Sequence, residues 1–136
     1  MSYLGSISAR EHSGLRLASW LAKTYKTKQP VALSEISHSE AISLKYLEQL
    51  ILPFRQAGWV KSTRGRNGGY VMAVPPRSVT VKAVLDRLSD QARVVDCLTE
   101  PCDFEKRCPS QQTWKKVQQA IDDTLERITL SEISHT

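Results

Sequence analysis

Cys97, Cys102 and Cys108 fall within twelve residues and are the only cysteines of the chain. They occupy a polar, charged stretch, DCLTEPCDFEKRC, and not the apolar setting of a packed core thiol. Thiolates this close together in a loop can converge on one metal centre. Their odd number argues against a simple disulfide framework, which would leave one thiol over. The spacing is C-x4-C-x5-C. It lacks the C-x2-C knuckle usual in structural zinc sites, whereas a longer loop suits the larger unit of an iron–sulfur cluster. On spacing alone an iron–sulfur centre, a thiol redox switch and a zinc site all stay open. Three thiolates leave a fourth ligand to be found, and the histidines are His12, His38 and His135. A thiol oxidoreductase would call for a low-pKa cysteine, usually in C-x-x-C, and the chain has no such pair. No nucleophile–base pairing emerges elsewhere, so an enzyme is not expected.

Around this loop the chain has 136 residues, 40% hydrophobic and 24% charged, which suits a soluble globular protein with one domain and an appended element. No apolar run reaches about 18 residues, so no membrane partner is expected. The first residues lack the basic and apolar regions of a secretory signal. A cytoplasmic setting follows, in which free thiols serve more often as metal ligands or redox sensors than as disulfides. The net charge of +5 is uneven. Residues 1–90 carry 13 basic and 6 acidic side chains, a net of +7, and residues 91–136 carry 6 and 8, a net of −2. A basic first part suits a nucleic-acid face and the acidic remainder a separate sensing or assembly region.

Ser8 and Glu11 form a capping-box signature that starts a helix running to about Lys26, with Leu15, Leu17, Ala18, Leu21 and Ala22 at helical spacing. Pro30 breaks it. Ser34 is placed to cap a short helix and Ser43 a second one carrying Leu44, Leu47, Leu50, Ile51 and Phe54, closed by Gly58. Pro53 inside that helix predicts a kink or a tightened turn. Two helices joined by a short turn are a helix-turn-helix. The period then changes: WVKSTRGRNGGYVMAV reads as strand, turn, strand, with RGRNGG at the tip. The combination is a winged helix. Thr80 caps a further helix over 80–88. After Pro109 a long helix carries Trp114, Val117, Ile121, Leu125 and Ile128 at spacings of 3, 4, 4 and 3, a narrow apolar stripe that reads as a dimer seam. Thr129 and Glu132 suggest a last capping box.

In such folds the second helix enters the DNA major groove by its N-terminal end. Here that end offers Ser43, Lys45, Tyr46, Glu48 and Gln49. Gln49 can bond adenine bidentately, and Glu48 can accept from cytosine. Lys45, Tyr46 and Arg55 suit phosphates, which set register rather than sequence. Arg64 and Arg66 flank Gly65 at the wing tip, where an arginine fits the negative potential of a narrow minor groove.

These residues resemble a known family. ISLKYLEQLILPFRQAGWVKSTRGRNGGY is similar to the reading helix and wing of the IscR/NsrR-type iron–sulfur transcriptional regulators. The likeness continues through TVKAVLDRL, the cysteine loop and the long helix ending in ITLSEI, about 7–133 in all. It implies a homodimer with crossed long helices and a cluster near the interface. It also implies that Cys97, Cys102 and Cys108 are cluster ligands, Glu48 and Gln49 the base-reading pair, and Arg64 the minor-groove arginine. Members with a [2Fe–2S] cluster place a histidine three residues after the last cysteine, where this chain has Gln111. Members with a [4Fe–4S] cluster use a carboxylate early in the first helix, donated by the partner subunit, and that position aligns with His12, beside Glu11. His12 is therefore the expected fourth ligand, with Glu11 behind it, and [2Fe–2S] is favoured over [4Fe–4S]. The first cysteine spacing is one residue shorter than the family's usual x5.

The expected fold is mainly α with a small β-hairpin: a winged helix-turn-helix over 1–90, a cluster-binding loop over 91–109, and a dimerisation helix and tail over 110–136. The expected function is transcription regulation by a dimer on a pseudo-palindromic double-stranded DNA operator, controlled by an iron–sulfur cluster. The alternative is a cluster-free regulator using the same cysteines as a thiol, disulfide or zinc switch.

Overall fold

The computed structural model describes residues 8–66, 68–89 and 108–134. Helix α1 (Ala9–Thr27) begins at the expected capping box. Ser8 Oγ accepts the Glu11 N–H at 3.1 Å, and the Glu11 carboxylate accepts the Ser8 N–H at 3.3 Å. Two donors that the helix leaves orphaned are thereby satisfied. Leu17, Ala18, Leu21 and Ala22 are buried along one side, as their spacing requires.

After Pro30 the chain runs extended, and Val31 exchanges two backbone hydrogen bonds with Tyr70, at 2.9 and 2.8 Å. Helix α2 (Leu33–Glu40) then starts one residue before the expected cap. Its N-cap is Ala32, with no side-chain bond, and Ser34 lies inside the first turn. The bridge to Tyr70 fixes Val31, and burial of Leu33 draws the chain straight into the helix. Tertiary contacts here outweigh the preference of a serine for the cap.

Helix α3 (Leu44–Gln56) is capped by Ser43, whose hydroxyl accepts the Tyr46 N–H at 3.1 Å. It buries Leu47, Leu50, Ile51 and Phe54, each such side chain contributing about 1.5–3 kcal/mol. The helix continues through Pro53 to Gln56, and the Pro53 carbonyl still accepts the Ala57 N–H at 3.0 Å. Gly58 ends it, as its position predicts, with φ at 77°. The Gly58 N–H reaches the Arg55 carbonyl and the Trp59 N–H the Phe54 carbonyl, both at 3.0 Å, while the Phe54 and Trp59 rings lie 5.7 Å apart. This is a Schellman closure with its hydrophobic contact, and it aims the chain into the wing.

The wing pairs β1 (Val60–Thr63) with β2 (Gly69–Met72) antiparallel, from Val60 opposite Met72 to Thr63 opposite Gly69. A 3-10 turn over Pro76–Ser78 leads to α4 (Val81–Leu88), capped by Thr80 through the Ala83 N–H at 3.0 Å. Helix α5 (Pro109–Arg127) packs against α4. The last described element is α6 (Leu130–Ile133), where Thr129 is the N-cap but makes no side-chain cap bond. The expected capping box gives way to backbone pairing. Val81 N–H donates to the Ile128 carbonyl at 2.8 Å and Leu130 N–H to the Val79 carbonyl at 2.9 Å. This clasp joins the start of α4 to the end of α5 and buries Leu130 in the core that α1 and α3 form. The fold is thus mainly helical with a two-stranded hairpin, a winged helix-turn-helix with a long helix added. No helix among the described residues is long and apolar enough to cross a membrane.

Candidate functional site

The turn between α2 and α3 sets the angle of the second helix, and a polar cluster fixes it. Glu40 closes α2. Its carboxylate accepts Trp20 Nε1 at 2.6 Å and Arg16 Nε at 3.0 Å, and its carbonyl accepts Arg16 Nη2 at 2.8 Å. Ala41 follows at a φ of 54°, and Ser37 Oγ donates to the Ile42 carbonyl at 2.6 Å. Sequence reasoning missed this clamp. Its signal is faint: Arg16 and Trp20 stand four apart, hence on one side of α1, but nothing local links them to Glu40.

From that turn α3 presents the expected residues. Ser43, Lys45, Glu48, Gln49 and Arg55 are exposed, while Tyr46 is half-buried with its ring against the core. The tyrosine therefore serves packing as well as any contact its hydroxyl makes. Arg55 lies over the Tyr70 ring at 6.0 Å, linking the helix to the wing. At the tip, Arg64 and Arg66 are exposed on either side of Gly65, whose φ is 107°. The tip is closed by the Gly68 N–H on the Gly65 carbonyl at 3.0 Å. Helix α3 and the wing arginines thus belong to one connected unit.

The cysteine segment runs from the end of α4 to the start of α5. Cys97 and Cys102 lie outside the described residues, as does His135. Cys108 is a free, half-buried thiol at the N-cap of α5, and it makes no cap hydrogen bond. Its sulfur is thus available as a ligand, and thiolate donors suit iron as well as zinc. Gln111, one turn on, is buried at 2% exposure, a neutral amide enclosed in the fold. It offers no imidazole or carboxylate to a metal. Glu11 is engaged in the capping box, where its carboxylate also accepts the Ser8 hydroxyl at 2.8 Å. His12 is exposed on the next position of α1. Arg10 Nε donates to the Leu88 carbonyl at 2.9 Å, which seats the first turn of α1 at the root of the cysteine segment. Among the described residues alone, no three His, Cys, Asp or Glu side chains are grouped to hold a metal.

Helix α5 turns Gln111 and Gln118 inward, one heptad apart, and leaves Trp114, Val117, Ile121, Leu125 and the following Ile128 half-exposed. Among the described residues, none of this apolar stripe belongs to the buried core.

The comparisons with known proteins agree with this architecture. The family described as Rrf2, iron-dependent transcriptional regulator, matches residues 7–136. The HTH-type transcriptional regulator IscR of Erwinia tasmaniensis is 36% identical over 105 residues, 76% of this chain and 64% of that protein, so this chain spans under two thirds of that relative's length. The structure of T. potens IscR superposes with a TM-score of 0.78 at 32% identity, covering 95% of this chain and 85% of that one. The oxidised form of Staphylococcus aureus CymR superposes with a TM-score of 0.78 at 29% identity, covering 97% and 98%. With the winged helix, the exposed polar face of α3 and the family match over almost its whole length, the chain belongs to the Rrf2 family of transcriptional regulators.

Proposed function

We propose that this DNA-binding regulator works as a homodimer whose operator affinity is set by an iron–sulfur cluster held through Cys97, Cys102 and Cys108. His12 is the fourth ligand, supplied by the partner subunit, and [2Fe–2S] is the preferred cluster. The unit over 1–90 reads DNA, the segment over 91–109 holds the cluster, and residues 110–136 assemble the dimer. Ser43, Lys45, Tyr46, Glu48, Gln49 and Arg55 face the major groove and its phosphates, and Arg64 and Arg66 the minor groove. A bound cluster supplies a redox-sensitive cross-link between the loop thiolates.

The carrying observation is the position of Cys108. It is a free thiol at the head of α5, the helix that carries the half-exposed apolar stripe, and the cysteine segment follows α4, which packs on α3. Release of the loop changes the restraint on α4 and, through it, the spacing of two reading helices. A coupling of about 1–3 kcal/mol, some 5–150-fold in affinity, is enough for a switch.

The test is anaerobic purification with a visible absorption spectrum and iron and sulfide counts per chain. About two irons with matching sulfide fit the proposal and about four replace it by the larger cluster. Cys102→Ala and Cys108→Ala should lose the visible absorbance, and His12→Ala should weaken it. A colourless protein that stays colourless after reconstitution but binds its operator fully refutes the cluster. It would favour the second reading, a thiol, disulfide or zinc switch on the same cysteines. The likeness to a CymR solved in an oxidised form keeps that reading in view.

A further inference from the structure

Two large apolar side chains stand exposed among the described residues, and both belong to α3: Leu44 at 42% and Leu52 at 49%. The remaining apolar residues of that helix behave differently, with Leu47, Leu50, Ile51 and Phe54 at 0–1% exposure. Leu44 is therefore not part of the buried core. It is the first residue of the helix, directly after the Ser43 cap. Its side chain leans toward the N-terminus, as every helical side chain does, which is the end that enters the groove.

Leu44, Glu48 and Leu52 are four apart and form one line along the helix. Neither a carboxylate nor a leucine suits a phosphate. Leu44 and Glu48, at the N-terminal end of this line, therefore suit base edges, while Arg55, seven residues after Glu48, lies on the same face at its far end, over the Tyr70 ring of the wing. A major groove floor offers one apolar group, the 5-methyl of thymine.

We propose that Leu44 reads the 5-methyl group of a thymine in each operator half-site, within one or two base steps of the base contacted by Glu48. The distance follows from helix geometry, since four residues advance about 6 Å along the axis. The inference rests on the DNA-reading face described above and assigns to it a specificity that hydrogen bonding alone does not supply.

The experiment uses the full chain. Operators are first selected from a randomised duplex library. Each thymine of the selected operator is then replaced singly by deoxyuridine, which removes only the methyl group. Wild type should lose about three- to tenfold in affinity at one thymine per half-site, the scale of one buried methyl with its packing. Leu44→Ala and Leu44→Gln should fold normally, since the site is exposed, and be indifferent to deoxyuridine at that thymine. Substitutions at other positions should affect them as they affect wild type. Full retention of the methyl preference by both variants overturns the inference. So does a wild type that tolerates deoxyuridine everywhere. In either case the DNA-binding reading survives, because an operator was selected. A wild type that selects no sequence at all overturns that reading and this one with it.

Discussion

Gly14 on α1 meets Leu88 at the end of α4 with no room for a side chain between them: a β-carbon on Gly14 would stand 2.1 Å from Leu88 Cδ1. The carbonyl of the same leucine accepts Arg10 Nε. One helix therefore grips the last turn of α4 twice, at the point where the cysteine segment begins. Alanine at position 14 would gain about 1 kcal/mol of helix propensity. It must also displace a buried leucine, and overpacking of that kind costs about 1–3 kcal/mol. Gly14→Ala should lower Tm by several degrees and weaken operator binding. An unchanged or raised Tm in thermal unfolding would mean that α1 and α4 separate there at little cost.

Glu40 joins Arg16 and Trp20 to the end of α2, and its loss leaves the indole N–H without its carboxylate acceptor. Hydrogen bonds to a charged group contribute about 1.5–3 kcal/mol, less here for the part that solvent screens. Glu40→Ala should reduce stability by about 1–3 kcal/mol in urea unfolding. It should cut operator affinity further than that loss explains, because α3 is aimed from this turn. Normal affinity in the fraction that remains folded would show that the clamp serves stability alone.

Much of this arrangement was legible in the sequence because its signals are local. Ser8 with Glu11, Ser43, Thr80 and Gly58 mark termini that α1, α3 and α4 adopt, and RGRNGG marks the wing. Where long-range contacts decide, the reading failed. Ser34 lost the cap of α2 to Ala32 because Val31 is pinned by Tyr70, and Thr129 is held by pairing with the 79–81 segment instead of by a capping box. The Glu40 clamp spans 20 to 24 residues and has no periodicity to betray it. On the exposed face of α3, residue types identify the polar groups, but Leu44 looks like another core leucine until burial separates it from Leu47.

Ala41 holds a φ of 54° in the helix-turn-helix bend, a region that glycine enters without penalty. An alanine there costs about 1–2 kcal/mol, and glycine gives back about 0.4–1 kcal/mol through the freer unfolded chain. Ala41→Gly should therefore stabilise the protein by about 0.5–1 kcal/mol, the difference of these two effects. Denaturant titration checks the sign, and a destabilised variant would show that the turn is not strained at this position.

Lys82 on α4 donates to Asp86 at 2.8 Å, and Asp122 and Glu126 of α5 act on it across the helix seam. The hydrogen bond to Asp86 and the attraction of the three carboxylates outweigh burial and hold the ammonium pKa above its usual 10.5. The folded state thus keeps this proton more tightly than the unfolded chain. The stabilisation is complete below the unfolded value and is lost as pH rises through the folded one. Lys82→Met should cost about 0.3–0.5 kcal/mol near neutrality, the worth of an exposed pair one turn apart. The gap between wild type and variant should hold well below the usual 10.5 and close only as pH rises past it through the raised folded-state value. Urea unfolding across that range decides it. A gap that persists in strong alkali would assign the effect to the packing of the lysine stem against α5, not to its charge.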